Sequence, residues 1–237
     1  MLLSLAKRAF KAVFRLFGFE IHYVRKGVGV DAFADMRMLS GTERPVIFDV
    51  GANVGQSIGV FRKRFGRPVI HSFEPGRATF EQLQRNTAGV PDLRLNNVAL
   101  GATMGSATLI ENERSDMSSM LEPGPDCWGA IERRSTVDVT TVDDYCARHG
   151  IERIDILKID TQGFDLEVLR GAERMMHSGA IRLVFMEIIF SEMYKGLPRF
   201  DETFAFLADR RFRLVAFYDF YYQRDRASWT DGLFIYE

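Results

Sequence analysis

Three acidic residues stand at the ends of apolar runs, each just ahead of a glycine or proline turn, where a polar ligand can be met. Asp49 lies in Val46-Ile47-Phe48-Asp49-Val50-Gly51-Ala52-Asn53-Val54-Gly55, Glu74 in Val69-Ile70-His71-Ser72-Phe73-Glu74-Pro75, and Asp160 in Ile156-Leu157-Lys158-Ile159-Asp160-Thr161-Gln162-Gly163. An acid at a strand end followed by a tight glycine turn suits a nucleotide-like cofactor. Gly51 can adopt backbone angles closed to other residues, and Gly55 lets the next helix approach with no side chain between. The lack of a following Gly-Lys-Ser/Thr argues against a Walker-type phosphate loop. Glu74 comes roughly 20 residues after Gly51, the spacing of an acid that accepts hydrogen bonds from ribose hydroxyls. Pro75 disfavours helical geometry at Glu74 and keeps its carboxylate at the strand's carboxyl edge. A solvated strand-end acid is the plain alternative.

Farther on, Val184-Phe185-Met186-Glu187-Ile188-Ile189 embeds a charge in an apolar strand. A buried carboxylate needs hydrogen bonds, a cation or a proton, so Glu187 is a second candidate beside Asp160, unless strand alternation turns it to solvent. Together they offer hard oxygen ligands for a divalent cation such as Mg, which would lower the pKa of an acceptor hydroxyl. For handling the acceptor's proton the order is Asp160, then Glu187. His71 is an alternative base by its imidazole chemistry, though it lies before the cofactor-facing end of its strand, where packing is the plainer role. His149, beside Gly150, has less positional support.

Short apolar runs alternating with mixed segments predict an open α/β sheet that would set these acids along one edge. Strands are expected at 46–50, 69–73, 93–100, 154–159, 181–189, 213–218 and 232–236, and helices at 56–65, 78–86, 142–148, 164–176 and 201–209. Residues 108–110 should extend the sheet or form a small ribbon. The long stretch 111–134, with its Met117-Ser118-Ser119-Met120-Leu121 patch, reads as a substrate-covering loop or as an irregular surface insertion. Residues 217–226, rich in aromatics, read as an exposed connection. Its rings would either cover the final hairpin or stack on a planar or sugar acceptor, with Arg224 and Arg226 pairing with an acidic substituent.

A chain of 237 residues with 46% apolar content can bury one substantial core. With 31 basic and 32 acidic residues and a formal charge of −1, no global electrostatic case for a nucleic-acid partner exists. Two cysteines and four scattered histidines argue against a disulfide framework and against zinc. Residues 1–17 interleave Lys7, Arg8, Lys11 and Arg15 with leucines and phenylalanines. They read as a basic amphipathic helix, docked on the domain or touching a membrane surface. A division into an N-terminal extension, 1–40, and a catalytic domain, 41–237, follows, and the missing export signal favours the cytoplasm. Oligomeric state stays open.

The motifs VIFDVGANVG, HSFEP, NNVALG, the Ser118-Ser119 region, TTVDDY, LKIDTQGFDLEVLRGA and FMEI, in that order over 46–190, resemble the FkbM family of S-adenosylmethionine-dependent methyltransferases. The resemblance implies a Rossmann-like, seven-stranded class I methyltransferase sheet with helices on both faces and an antiparallel last strand. It also implies that Asp49, Gly51 and Gly55 organise the methionine side of S-adenosyl-L-methionine with Asn53 in the same loop, that Glu74 takes the ribose, and that Asn97 and Val98 flank adenine; Asp160, at the same sheet edge, is counted with the cofactor-binding residues. Many relatives carry glutamate where this chain has Gln162 or Asp165, so neither residue inherits a catalytic role. The expected reaction is O-methylation of a hydroxyl on a small molecule or carbohydrate, such as a sugar or polyketide-like acceptor. N-methylation, a nicotinamide dehydrogenase and a non-catalytic module that kept the fold are the alternatives.

Overall fold

The computed structural model describes residues 10, 12–17 and 27–237. Along the chain run α1 (Ala32–Ser40), β1 (Val46–Val50), α2 (Gln56–Arg64), β2 (Val69–Phe73), α3 (Arg77–Asn86), β3 (Leu93–Asn96), β4 (Ala99–Leu100) and β5 (Gly105–Asn112). Next come β6 (Ile131–Thr140), α4 (Val142–His149), β7 (Ile154–Ile159), α5 (Asp165–Arg170), α6 (Glu173–His177), β8 (Ile181–Ile189), α7 (Phe200–Asp209), β9 (Phe212–Gln223) and β10 (Arg226–Tyr236). Seven strands form one sheet in the order β3-β2-β1-β7-β8-β10-β9. The first five are mutually parallel, and the last strand of the chain, β10, runs antiparallel to both β8 and β9. The chain winds outward from β1 to β3 and then returns to β7, so the switch in strand order opens a crevice at the carboxyl ends of β1 and β7.

Both faces of the sheet are covered, which is why β7 is buried at every position, its apolar residues interrupted only by Asp155 and Lys158. On one face Ile47, Ile156 and Leu183 pack with Met36 of α1, Ile58 and Phe61 of α2 and Leu83 of α3. On the other Phe48, Leu157 and Val184 meet Tyr145 of α4, Leu169 of α5 and Leu207 of α7. The caps follow local chemistry: Asp31 accepts from the Phe33 and Ala34 N–H groups to start α1, and Thr141 accepts from Asp144 N–H to start α4. Helix α1 packs into the same core as the sheet, with Met36 fully buried.

Several elements differ from expectation. The strand expected over 93–100 is two strands in different sheets, because Asn97 turns between them and donates its amide to the Glu74 and Pro75 carbonyls at 2.9 Å each. The helix expected over 164–176 breaks at Gly171, where the backbone passes so close to Gly101 that a Cβ would lie 2.0 Å from its carbonyl oxygen. Residues 108–110 belong to a separate three-stranded sheet, β4-β6-β5. Its long β5–β6 connection folds back through a bridge between Ile110 and Ser119. The span 217–226 is strand and turn, not a loop: β9 and β10 pair out to Gln223 and Arg226, with Arg224 and Asp225 at φ 48° and 60°. Arg224 is held by Asp126 at 2.8 Å. Of the expected N-terminal helix, residues 12–16 are helical, while Lys7, Arg8 and Lys11 lie outside the described residues. No helix among the described residues is long and apolar enough to cross a membrane.

Candidate active site

The carboxyl ends of β1, β2 and β7 converge on a cavity of about 290 Å³. Gly51 leaves β1 at φ 74°, and a Cβ there would sit 1.8 Å from the Asp160 carbonyl oxygen, so only glycine lets these two strand ends touch. Gly55 starts α2 at φ 98°, with a Cβ position already 3.0 Å from Leu83 of α3. Between them Asn53 adopts φ 47°. Its N–H donates to Glu74 Oε2 at 3.0 Å, and its side-chain carbonyl accepts from Ser115 Oγ at 2.9 Å.

Glu74 is buried at the end of β2, and its other oxygen accepts from the Gly76 N–H at 2.9 Å. Burial pushes its carboxyl up to about 7, against the opposing pull of the Gly76 and Asn53 N–H groups. It lines the cavity beside Pro75 and Val98, with Leu109 and Met120 from the small sheet and its connection. Ser118 and Ser119 also line it. Part of the 111–134 segment, from Ser115 to Met120, therefore lines this cavity.

Asp49 is fully buried and points from β1 toward Lys158, its register partner on β7. Lys158 Nζ lies 3.1 Å from Asp49 Oδ1, 3.5 Å from Asp160 Oδ2 and 3.2 Å from the Gly51 carbonyl. Burial alone would pull this ammonium down, yet Asp49 and Asp160 together hold it above its ordinary value. Ser57 donates to the second Asp49 oxygen at 2.7 Å. Asp160 keeps a side chain 42% exposed and lines the cavity.

Gln162, at φ 55°, uses both amide hydrogens on carboxylates: Nε2 donates to Asp160 Oδ1 at 3.0 Å and to Glu187 Oε2 at 3.1 Å. Its Oε1 accepts from Tyr194 Oη at 2.8 Å, and its backbone carbonyl from Ser119 Oγ at 2.7 Å. Glu187 is held well above the usual carboxylate range by burial, then by the charges of Asp160, Asp165 and Asp231. Asp165, raised to about 6 by burial and by Asp160, accepts from the Thr161 and Gly163 N–H groups and so shapes the turn after β7.

Asp49, Gly51, Asn53, Glu74, Val98 and Asp160 are thus brought together, with Gly55 and Asn97 buttressing the turns behind them. Two expectations need correction. His71 pairs in register with Phe48, and alternation sends both to the α4 face, opposite Asp49 and Lys158. There its Nδ1 meets Tyr145 Oη at 2.9 Å and burial lowers it to about 4, so it does not reach the cavity as a base. The cation expected between Asp160 and Glu187 finds the Gln162 amide bridging them instead. Among the described residues, no group of three or more His, Cys, Asp or Glu converges as a metal centre. The donor set does not fit a divalent ion.

Lys158 escaped the sequence reading as a site residue, although a lysine within Ile156-Leu157-Lys158-Ile159 is itself a signal: a central strand buries an ammonium only against anions. Tyr194 and Asp231 carried no such signal, since only tertiary packing brings them to this edge.

Residues 49–214 match the Methyltransferase FkbM domain family. The chain is similar to a 2-O-methyltransferase, NoeI, of Sinorhizobium fredii (24% identity over 163 residues, 64% of this chain and 66% of the relative). It is similar, too, to the hexuronic acid methyltransferase AglP of Haloferax volcanii (24% over 174 residues, 71% and 66%). Among solved structures, it resembles magnesium protoporphyrin IX methyltransferase (ChlM) of Synechocystis PCC 6803, which holds bound SAM. The TM-score is 0.50 at 10% identity, covering 86% of this chain and 76% of that one. With the sheet order and the glycine turn already described, these matches place the chain in the FkbM family of S-adenosylmethionine-dependent methyltransferases.

Proposed function

We propose that this protein transfers a methyl group from S-adenosylmethionine to a hydroxyl oxygen of a small, sugar-like acceptor. The observation that carries the reading is a single cavity bordered at one end by Glu74 and at the other by Asp160 and Lys158. The cavity residues suit the donor: a cradle at Gly51 that a Cβ would fill, a buried acid at Glu74 and an apolar flank at Val98, Leu109 and Met120. When bound, S-adenosylmethionine supplies an electrophilic methyl carbon whose bond to sulfur breaks as the acceptor oxygen takes the methyl. Glu74 accepts the ribose hydroxyls, and its N–H bonds from Asn53 and Gly76 keep the carboxylate aimed. Asp160, at the open end of β7, takes the acceptor's proton as the O–C bond forms. Lys158 and Gln162 hold Asp160 in place from either side. Ser118, Ser119 and Met120 cover the cavity and limit water. Residues 41–237 supply every group named here, and α1 packs on them through the fully buried Met36.

The oxygen acceptor is supported by the printed activity of the Sinorhizobium relative and the carbohydrate class by that of the Haloferax relative. Incubation with methyl-labelled donor and a panel of hydroxyl- and amine-bearing acceptors, followed by linkage analysis of the product, tests it. O-methyl product is expected, and Asp160→Asn should lower kcat by about 10²-fold or more while donor affinity is kept. Transfer only to amines would overturn the reading.

A further inference from the structure

A second cavity, of about 560 Å³, shares Lys158 and Asp160 with the first and lies on the α1 face of the sheet. Its outer wall is the entry to α1, Val30 to Phe33. Asp35, one turn into the helix, holds this wall, because its Oδ2 accepts both Gly29 N–H at 2.7 Å and Tyr218 Oη at 2.8 Å. Its floor is Phe185 and Tyr218, and the far side is Asp219 and Asp231. Neighbouring strand residues normally face opposite sides. Tyr218 and Asp219 both line this cavity because β9 carries an extra residue here: Tyr221 and Tyr218 pair with Trp229 and Asp231, and Asp219 takes φ 45°. Such a bulge re-aims a side chain, and bulges gather beside active sites.

The wall chemistry is one-sided. Arg64 pairs with Asp31 at 2.8 Å and Lys158 with Asp49 and Asp160, so each wall cation already faces a carboxylate, and the aspartates lining the cavity, Asp31, Asp160, Asp219 and Asp231, outnumber its two cations. The side-chain carboxylates of Asp231 and Asp219 accept no hydrogen bond among the described residues. Asp231 is also buried enough for its carboxyl to be raised to about 7, first by burial and then by Asp160. Hydrogen-bond acceptors without donors, over an aromatic floor, at a volume within the range of ligand pockets, call for a ligand rich in donors.

We infer that this second cavity is the acceptor's binding site, and that it takes a hydroxyl-rich ring without negative charge, a neutral or amino sugar unit, while rejecting a carboxylated one. The inference rests on the O-methyl transfer reading and adds the acceptor's place and charge. It sets this chain apart from the Haloferax relative, whose printed substrate is an acid.

Acceptor kinetics on the full chain, with a neutral methyl hexoside, the corresponding amino sugar and the corresponding uronate, test it alongside calorimetry of donor binding. The neutral and amino sugars should be methylated, with the uronate lower in kcat/KM by about tenfold or more. Asp231→Asn should raise acceptor KM by about tenfold, with donor affinity unchanged. Asp219→Lys, at an exposed position, should shift preference toward the uronate. Methylation of all three sugars with equal efficiency, or acceptor KM unmoved in both variants while turnover continues, overturns the inference and leaves O-methyl transfer standing. Donor binding without transfer to any hydroxyl overturns both.

Discussion

Lys158→Met removes a buried ammonium while keeping the length and apolar stem of the side chain. Asp49, its partner at 3.1 Å, has a side chain with 0% exposure, and only Ser57 is left to donate to it. Deleting one partner of a buried ion pair costs about 3–5 kcal/mol, because the remaining charge is stranded out of water. Asp160, 42% exposed, is screened by solvent and contributes little to that figure. From a parent stability of about 10 kcal/mol, the middle of the usual range, the variant stays folded in buffer. Urea denaturation near neutral pH should therefore give a deficit of about 3–5 kcal/mol. Adding Asp49→Asn to Lys158→Met should recover most of the loss. A deficit that is small, or that Asp49→Asn does not relieve, would refute the claim that this charge pair holds the β1 and β7 ends together.

Gln162→Glu would set a third carboxylate against Asp160 and Glu187; it should cost about 2–3 kcal/mol in urea denaturation near pH 8 and less at low pH. Gly51→Ala forces a Cβ toward the Asp160 carbonyl at a φ closed to alanine, and should cost about 3 kcal/mol or more and abolish donor binding by calorimetry. The pH dependence of Glu74 splits in two. Its raised carboxyl favours the unliganded fold fully below its ordinary 4.5, a contribution lost as pH rises through about 7. Donor binding needs the ionised form, so affinity should instead weaken as pH falls through about 7. Parallel calorimetry and denaturation across that window should show the opposed slopes.

Much of the frame was legible because strands buried on both faces leave continuous apolar runs, and because acids at their carboxyl ends stand out against them. Val46–Val50, Val69–Phe73, Ile154–Ile159 and Ile181–Ile189 fall where periodicity expected strands. The failures are places where tertiary contact overrides local pattern. Asn97 bends one apolar run into two sheets through bonds to the Glu74 and Pro75 carbonyls. Gly171 breaks a helix because Gly101 lies against it. For His71 the sequence left packing as the plainer role and a base as the alternative, and only the register with Phe48 shows which face it takes. Gln162, a departure from the family pattern, becomes intelligible only once its two carboxylate partners are seen.

The account stands on the β1 turn and Glu74 as the seat of the methyl donor, and titration calorimetry of S-adenosylmethionine into the full chain and its Glu74→Ala variant tests that most directly. Saturable binding at a single site is predicted, weakened by about tenfold or more in the variant. A well-folded parent that does not bind, or a variant that binds as the parent does, would contradict it.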